Sequence, residues 1–151
     1  PAAALRRFAH FYAADPTAQT SVYAGVRETL AAAARSGLRM AVCTNKPVAP
    51  AHTVLRRLGL ADHFDVVVGG DTHAFRKPDP RMLTLLLEHF ATSASHALMV
   101  GDSEVDAATA AAARVPFALL TYGYRRGAAA DIPCLAALDG FDQLRPLIGA
   151  R

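Results

Sequence analysis

"HALMVGDSEVDAATAAAARVPFALLTYGY", His96 to Tyr124, decides the fold. Its opening "HALMVG" is a short apolar run closed by glycine and reads as a buried strand. The alanine-rich "SEVDAATAAAARV" reads as a helix, and "PFALLTYGY" returns to a strand. Strands joined through a single helix run parallel, so the segment is one strand–helix–strand crossover. The first strand opens onto three acidic residues, Asp102, Glu104 and Asp106, within five positions. A strand that feeds a helix through a glycine turn offers free backbone N–H groups to an anion, which these acids would repel. Either they cap the helix, or a cation stands between them and the ligand.

The same alternation extends outward in both directions. "GVRETLAAAARSG" is a helix stopped at Gly37, "LRMAVCT" a strand, "KPVAPAHTVLRRLG" a helix with Pro47 near its start and Gly59 at its end, and "FDVVVGG" a strand. "DPRMLTLLLEHFA" is a helix, and Leu135–Leu138 a brief last strand before a closing helix. The pattern predicts a doubly wound α/β domain, a parallel sheet with helices on both faces. Residues 1–20 break this rhythm: "AALRRFAHFYAAD" reads as a helix with Leu5, Phe8, Phe11 and Tyr12 on one side, followed by the linker "PTAQTS".

Composition narrows the function classes. The 151 residues are 52% hydrophobic and 19% charged, enough for one domain with a core and too apolar for global disorder. No stretch has the length of a membrane span and no leader opens the chain, so a cytoplasmic protein without a membrane partner is expected. Cys43 and Cys134 lie outside any CxxC pair, against a disulfide scaffold or zinc knuckle. The net charge of +3 comes with fourteen scattered arginines, without a basic run or interleaved aromatics, and nucleic acid is not expected as a partner. Histidines 10, 52, 63, 73, 89 and 96 show no ligand spacing. Lys46 and Lys77 are the two lysines, and both fall at strand ends, where a compact ammonium on a thin stem has a use.

Ligands of open parallel sheets sit beyond the carboxyl ends of the strands. One strand delivers Thr44-Asn45-Lys46 there, a hydroxyl, an amide and backbone N–H groups suited to phosphate oxygens or, alternatively, to capping the Pro47 helix. The next delivers Lys77 within "DTHAFRKPDP", where Pro78 and Pro80 stiffen the backbone and Asp79 reads as a helix cap; a solvated loop lysine is the other reading. The third delivers Gly101-Asp102, with Asp106 one turn further on. Ser103 and Asp106 form a passable capping box, whereas Asp102 suits a Mg²⁺ site that turns an acidic strand end into part of an anion site. Glu104 is expected to face solvent.

Thr/Asn, Lys, and Gly-Asp with a second Asp, in that order at successive strand ends, form a set that capping does not require. With "VCTNK", Lys77 in "RKPDP" and "VGDSEVD", the chain from about Val22 onward resembles the haloacid dehalogenase superfamily, and "GGDTHAFRKPDP" with "TYGY" is similar to its phosphoglycolate phosphatase branch. The resemblance implies a Rossmann-like core and hydrolysis of a small phosphorylated metabolite through an aspartyl-phosphate. It implies Thr44, Asn45 and Lys77 as phosphate-binding residues, Lys77, Asp102 and Asp106 as catalytic ones, and Asp102 as a ligand of the Mg²⁺ cofactor. The family's nucleophile motif, D-x-D-x-T/V at the end of the first, central strand, occurs at none of the ten aspartates; Asp139 and Asp142, the nearest pair, are three apart and read as a turn and helix cap. The expectation is therefore a C-terminal part of a phosphatase: residues 1–20 a remnant of a helical cap domain, and 21–151 a core lacking its first central strand. Its alternatives are an inactive phosphate-binding module, or another activity of the superfamily such as a sugar phosphatase, phosphomutase or dehalogenase.

Overall fold

The computed structural model describes residues 20–149, so the helix expected within the first twenty residues lies outside the described residues. Five helices and five strands alternate as α1 (Val26–Arg35), β1 (Ala41–Cys43), α2 (Val48–Arg57), β2 (Val66–Val68), α3 (Arg81–His89), β3 (Met99–Gly101), α4 (Glu104–Ala113), β4 (Phe117–Leu120), β5 (Ala136–Leu138) and α5 (Arg145–Gly149). Helix boundaries follow local chemistry. Gly25, at φ +77°, opens α1; the helix then buries Val26, Thr29, Leu30 and Ala33 at the 3.6-residue spacing of one face and ends just before Gly37 at φ +74°. In α4 the Ser103 side chain accepts from the Asp106 N–H while the Asp106 carboxylate accepts from the Ser103 N–H, a reciprocal capping box.

Among the described residues all strand pairs are parallel, and they form two sheets. β1 pairs with β2 in the register Ala41↔Val66 to Cys43↔Val68, and β3, β4 and β5 pair in that order, with Met99↔Phe117 and Ala118↔Ala136. Among the described residues no strand pairs with the outer edge of β3 or with the second edge of β1. One apolar core nevertheless spans the break: Val68 of β2 and Cys43 of β1 pack in the same cluster as Met99, Phe117 and Leu119, under Met82, Leu83 and Leu86 of α3 and Ala107 and Ala110 of α4. Alternate residues of β4, Ala118 and Leu120, belong to a second core with Leu138 and Leu144 on the opposite face, as a two-residue side-chain period requires. A third cluster joins α1 to Leu60 and Phe64, with Phe141 touching both it and the second core. Helices thus cover both faces of a parallel architecture that, among the described residues, divides into the sheets β1-β2 and β3-β4-β5.

The strands are shorter than the apolar runs that announce them. The "PFALLTYGY" run pairs as a strand only over Phe117–Leu120, and the Thr121 N–H makes one further bond to the Leu138 carbonyl. Beyond it the amides of Tyr124, Arg126 and Gly127 donate to carboxylates instead of to a neighbouring strand, so the chain leaves the sheet as a loop.

Candidate active site

The site residues lie at the carboxyl ends of β1 and β3 and in the loop that follows β2. Thr44 extends the β1 ladder by one N–H bond to Val68, and its Oγ1 then accepts the Lys46 N–H at 3.1 Å, leaving the hydroxyl proton free to donate outward. The turn that follows lies directly against Gly69 and Gly70. A Cβ on Gly70 would stand 2.3 Å from the Asn45 carbonyl oxygen, and one on Gly69 2.5 Å from the Val48 nitrogen, so only glycine permits this approach. Asp71 takes the Val48 N–H at 2.7 Å and caps α2 from across the turn. That corrects part of the sequence expectation: the first N–H of this helix is already taken by Asp71, and in the preceding turn the Asn45 N–H has no partner among the described residues.

The Asn45 side chain also does something other than expected. Its Oδ1 accepts the Lys77 N–H and its Nδ2 donates to the Lys77 carbonyl, both at 2.9 Å, so the amide is spent on holding the backbone of Lys77. Lys77 in turn reaches Asp106, Nζ to Oδ1, at 2.6 Å, with side chains only 12% and 7% exposed. The other oxygen of Asp106 accepts from Ser103 Oγ at 2.7 Å and from the Asp102 and Ser103 N–H groups at 3.1 and 3.2 Å. Gly101 makes room for this: a Cβ there would lie 2.5 Å from the Cβ of Asp106. Burial pushes the Asp106 carboxyl up, but Lys77 and the donors of Ser103 and Asp102 outweigh it and hold the group below the ordinary carboxylate range. The capping reading of Asp106 is therefore realised on one oxygen, while the other binds the Lys77 ammonium.

Asp102 accepts the Tyr124 N–H on Oδ2 at 2.7 Å, while Oδ1 has no partner among the described residues. No group of three or more His, Cys, Asp or Glu side chains among those residues forms a closed metal centre. One open carboxylate oxygen is nonetheless what Mg²⁺ asks of a protein when waters and a substrate phosphate supply the rest. Glu104 stays at the solvent-facing surface, as expected, but it is not without partners: its Oε1 accepts the Arg126 and Gly127 N–H groups at 3.0 and 2.7 Å. Beside Asp102 a cavity of about 250 Å³, lined by Tyr23, Gly101, Leu120, Tyr122 and Phe141, borders Tyr122, whose buried hydroxyl has no partner among the described residues. Cys43 lies near Lys77 and Asp106, and burial pushes its thiol up, which disfavours the thiolate.

Hydrogen bonds thus run without interruption from Asn45 through Lys77 and Asp106 to Asp102, joining the ends of both sheets. Sequence reasoning missed Asp71, Glu104 and Gly123 as parts of this frame. The sequence model of the haloacid dehalogenase-like hydrolases matches residues 2–114. The chain belongs to this family. Among its haloacid dehalogenase-like relatives, the phosphoglycolate phosphatase of Rhodospirillum rubrum is 50% identical over 147 residues, which cover 97% of this chain and 61% of the relative. That of Cereibacter sphaeroides is 46% identical over 142 residues, 94% of this chain and 64% of the relative. A crystal structure of a predicted phosphoglycolate phosphatase from Haemophilus somnus superposes with a TM-score of 0.91 at 29% identity, covering 94% of this chain and 64% of that one. The chain therefore spans a little over three fifths of the length of these haloacid dehalogenase-like proteins. Among the described residues, no helix is long and apolar enough to cross a membrane.

Proposed function

We propose that this chain carries the phosphate-binding and charge-balancing side of a phosphomonoester hydrolase site, with phosphoglycolate, the substrate that names its relatives, as the ester. The Thr44 hydroxyl and the Asn45 N–H donate to phosphoryl oxygens, and the Lys77 ammonium offsets negative charge between nucleophile and phosphate. Asp106 sets the position of Lys77. Asp102 would hold Mg²⁺, which when bound supplies positive charge beside the transferring group. The observation that carries this reading is the hydrogen-bonded frame from Asn45 through Lys77 and Asp106 to Asp102, which gathers a lysine, a free N–H and an open carboxylate at neighbouring strand ends.

The family's nucleophile is an aspartate whose carboxylate oxygen attacks phosphorus in line, breaking the bond to the leaving oxygen; a second aspartate protonates the departing alcohol and then activates water against the aspartyl-phosphate. None of the ten aspartates here stands in that motif. In this reading the pair arrives on a strand that seats between β1 and β3, each of which has one edge without a strand partner among the described residues. The missing motif favours a second reading, in which the chain by itself binds phosphate without turnover. One assay separates them: phosphate release from phosphoglycolate with Mg²⁺, by the chain alone and by the chain co-expressed with the portion of the Rhodospirillum rubrum relative that it does not span. The first reading expects turnover only in combination. Equal, background rates in both samples overturn it and leave the binding module.

A further inference from the structure

The three acids that follow β3 have three different destinations, and only those of Asp102 and Asp106 enter the reading above. Glu104, the first residue of α4, spends one carboxylate oxygen on two backbone N–H groups more than twenty residues away, those of Arg126 and Gly127. The loop it grips lies on Asp102. The Tyr124 N–H reaches Asp102 Oδ2 at 2.7 Å, and a Cβ on Gly123 would stand 2.1 Å from the Cβ of Asp102 and 2.2 Å from Oδ2. At its start the Tyr122 ring packs against Tyr23, with centroids 4.7 Å apart, but the half that follows has no such anchor among the described residues. The Tyr124 side chain is 88% exposed, so apolar burial does not hold it, and Arg125 closes the loop's start by donating from Nη1 to the Thr121 carbonyl.

We propose that Glu104 is a positioning residue for Asp102. By holding the far end of the loop it keeps the Tyr124 N–H on Oδ2 of Asp102, which fixes the carboxylate rotamer and leaves Oδ1 as the oxygen presented outward. A carboxylate accepting a single N–H is free to swing once that donor leaves, and a ligand oxygen that swings binds a hard cation less well than a fixed one. The inference rests on the reading of Asp102 as the cation-holding carboxylate for its consequence, but not for its test.

The test is amide hydrogen exchange on this chain without metal or substrate, comparing wild type with Glu104→Ala and Glu104→Gln. The informative amide is that of Tyr124, whose acceptor is Asp102 and not Glu104. The Glu104→Ala chain is expected to exchange Tyr124 on the order of tenfold faster than wild type, as loss of a local fastening predicts, with Glu104→Gln, which keeps an acceptor oxygen, restoring most of the protection. The Ser103 and Asp106 amides, which lie outside the loop, report whether the fold is intact. Gly127→Pro removes the shorter of the loop's two bonds to Glu104 while leaving α4 untouched and is expected to shift Tyr124 exchange in the same direction, so the proposal stays testable if the alanine variant does not fold. Acceleration confined to Arg126 and Gly127, with Tyr124 at its wild-type rate, overturns it. Titration with Mn²⁺, read by paramagnetic relaxation, then separates the two ideas: Asp102-independent binding in wild type removes the metal reading of Asp102 and leaves the clasp standing, whereas Asp102-dependent binding equally tight in Glu104→Ala overturns the clasp as a positioning device.

Discussion

The Lys77 ammonium and the Asp106 carboxylate meet at 2.6 Å with both side chains nearly excluded from solvent, bridging a loop beyond β2 to the helix that follows β3. Removing either partner leaves the other charge buried without its counterion, a loss of about 3–5 kcal/mol where such pairs have been broken. Asp106→Ala is expected to cost more than Lys77→Met, because Asp106 also accepts from Ser103 and from the Asp102 N–H. In urea titrations of both single variants and the double variant, the double is expected to cost clearly less than the sum. Strict additivity would show that the two groups do not depend on each other.

The same pair sets a pH dependence. The Asp106 carboxyl titrates below its ordinary value of 3.8 in the folded chain, so the unfolded chain takes up the proton first as pH falls. Its contribution to stability is present in full above that ordinary value and is lost as the pH drops through the lowered folded one. Denaturation midpoints measured across this acid window are expected to fall more steeply for wild type than for Asp106→Asn. Parallel curves would contradict the assignment.

Asn45 is expected to act on Lys77 through its backbone. Asn45→Ala deletes two hydrogen bonds and should cost about 1–2 kcal/mol, while Asn45→Asp, which turns the donor facing the Lys77 carbonyl into an acceptor, should cost more. Both are expected to weaken binding of inorganic phosphate, measured calorimetrically. Unchanged phosphate affinity in Asn45→Asp would show that the lysine keeps its place without the clip.

Two glycines are predicted to be irreplaceable for different neighbours. Alanine at Gly101 drives a methyl group to 2.5 Å from Asp106, and alanine at Gly123 to 2.1 Å from Asp102. Overpacking of this kind costs about 1–3 kcal/mol. The Gly101→Ala chain should lose stability through the Lys77–Asp106 pair, whereas Gly123→Ala should chiefly displace the loop, visible as faster exchange at Tyr124. Wild-type behaviour of both would mean that the strand ends are looser than described.

What was legible in the sequence is what local chemistry dictates. The alternation of alanine-rich helices with short Val/Leu strands sets the parallel α/β order, and Gly25, Gly37 and Ser103 mark helix ends by conformations and caps that only a few residue types supply. Lys77, Asp102 and Asp106 stood out because their charge was out of place at the end of an apolar strand. The roles of Asn45, Asp71 and Glu104 were illegible for one reason: each bonds to backbone 22 to 32 residues away, and a backbone N–H carries no residue signature. The lengths of the strands were equally hidden, since an apolar run ends as a strand where its amides find other acceptors, as beyond Leu120.

The central claim, that the ends of β1 and β3 grip one tetrahedral anion, is tested most directly by titrating inorganic phosphate into the isotopically labelled chain and following its NMR signals. The account predicts that the Thr44 and Asn45 amides and the Lys77 Nζ shift together along a single binding curve, and that Lys77→Met abolishes all three responses. Signals that move with separate midpoints, or an Asn45 amide that does not move at all, would contradict it.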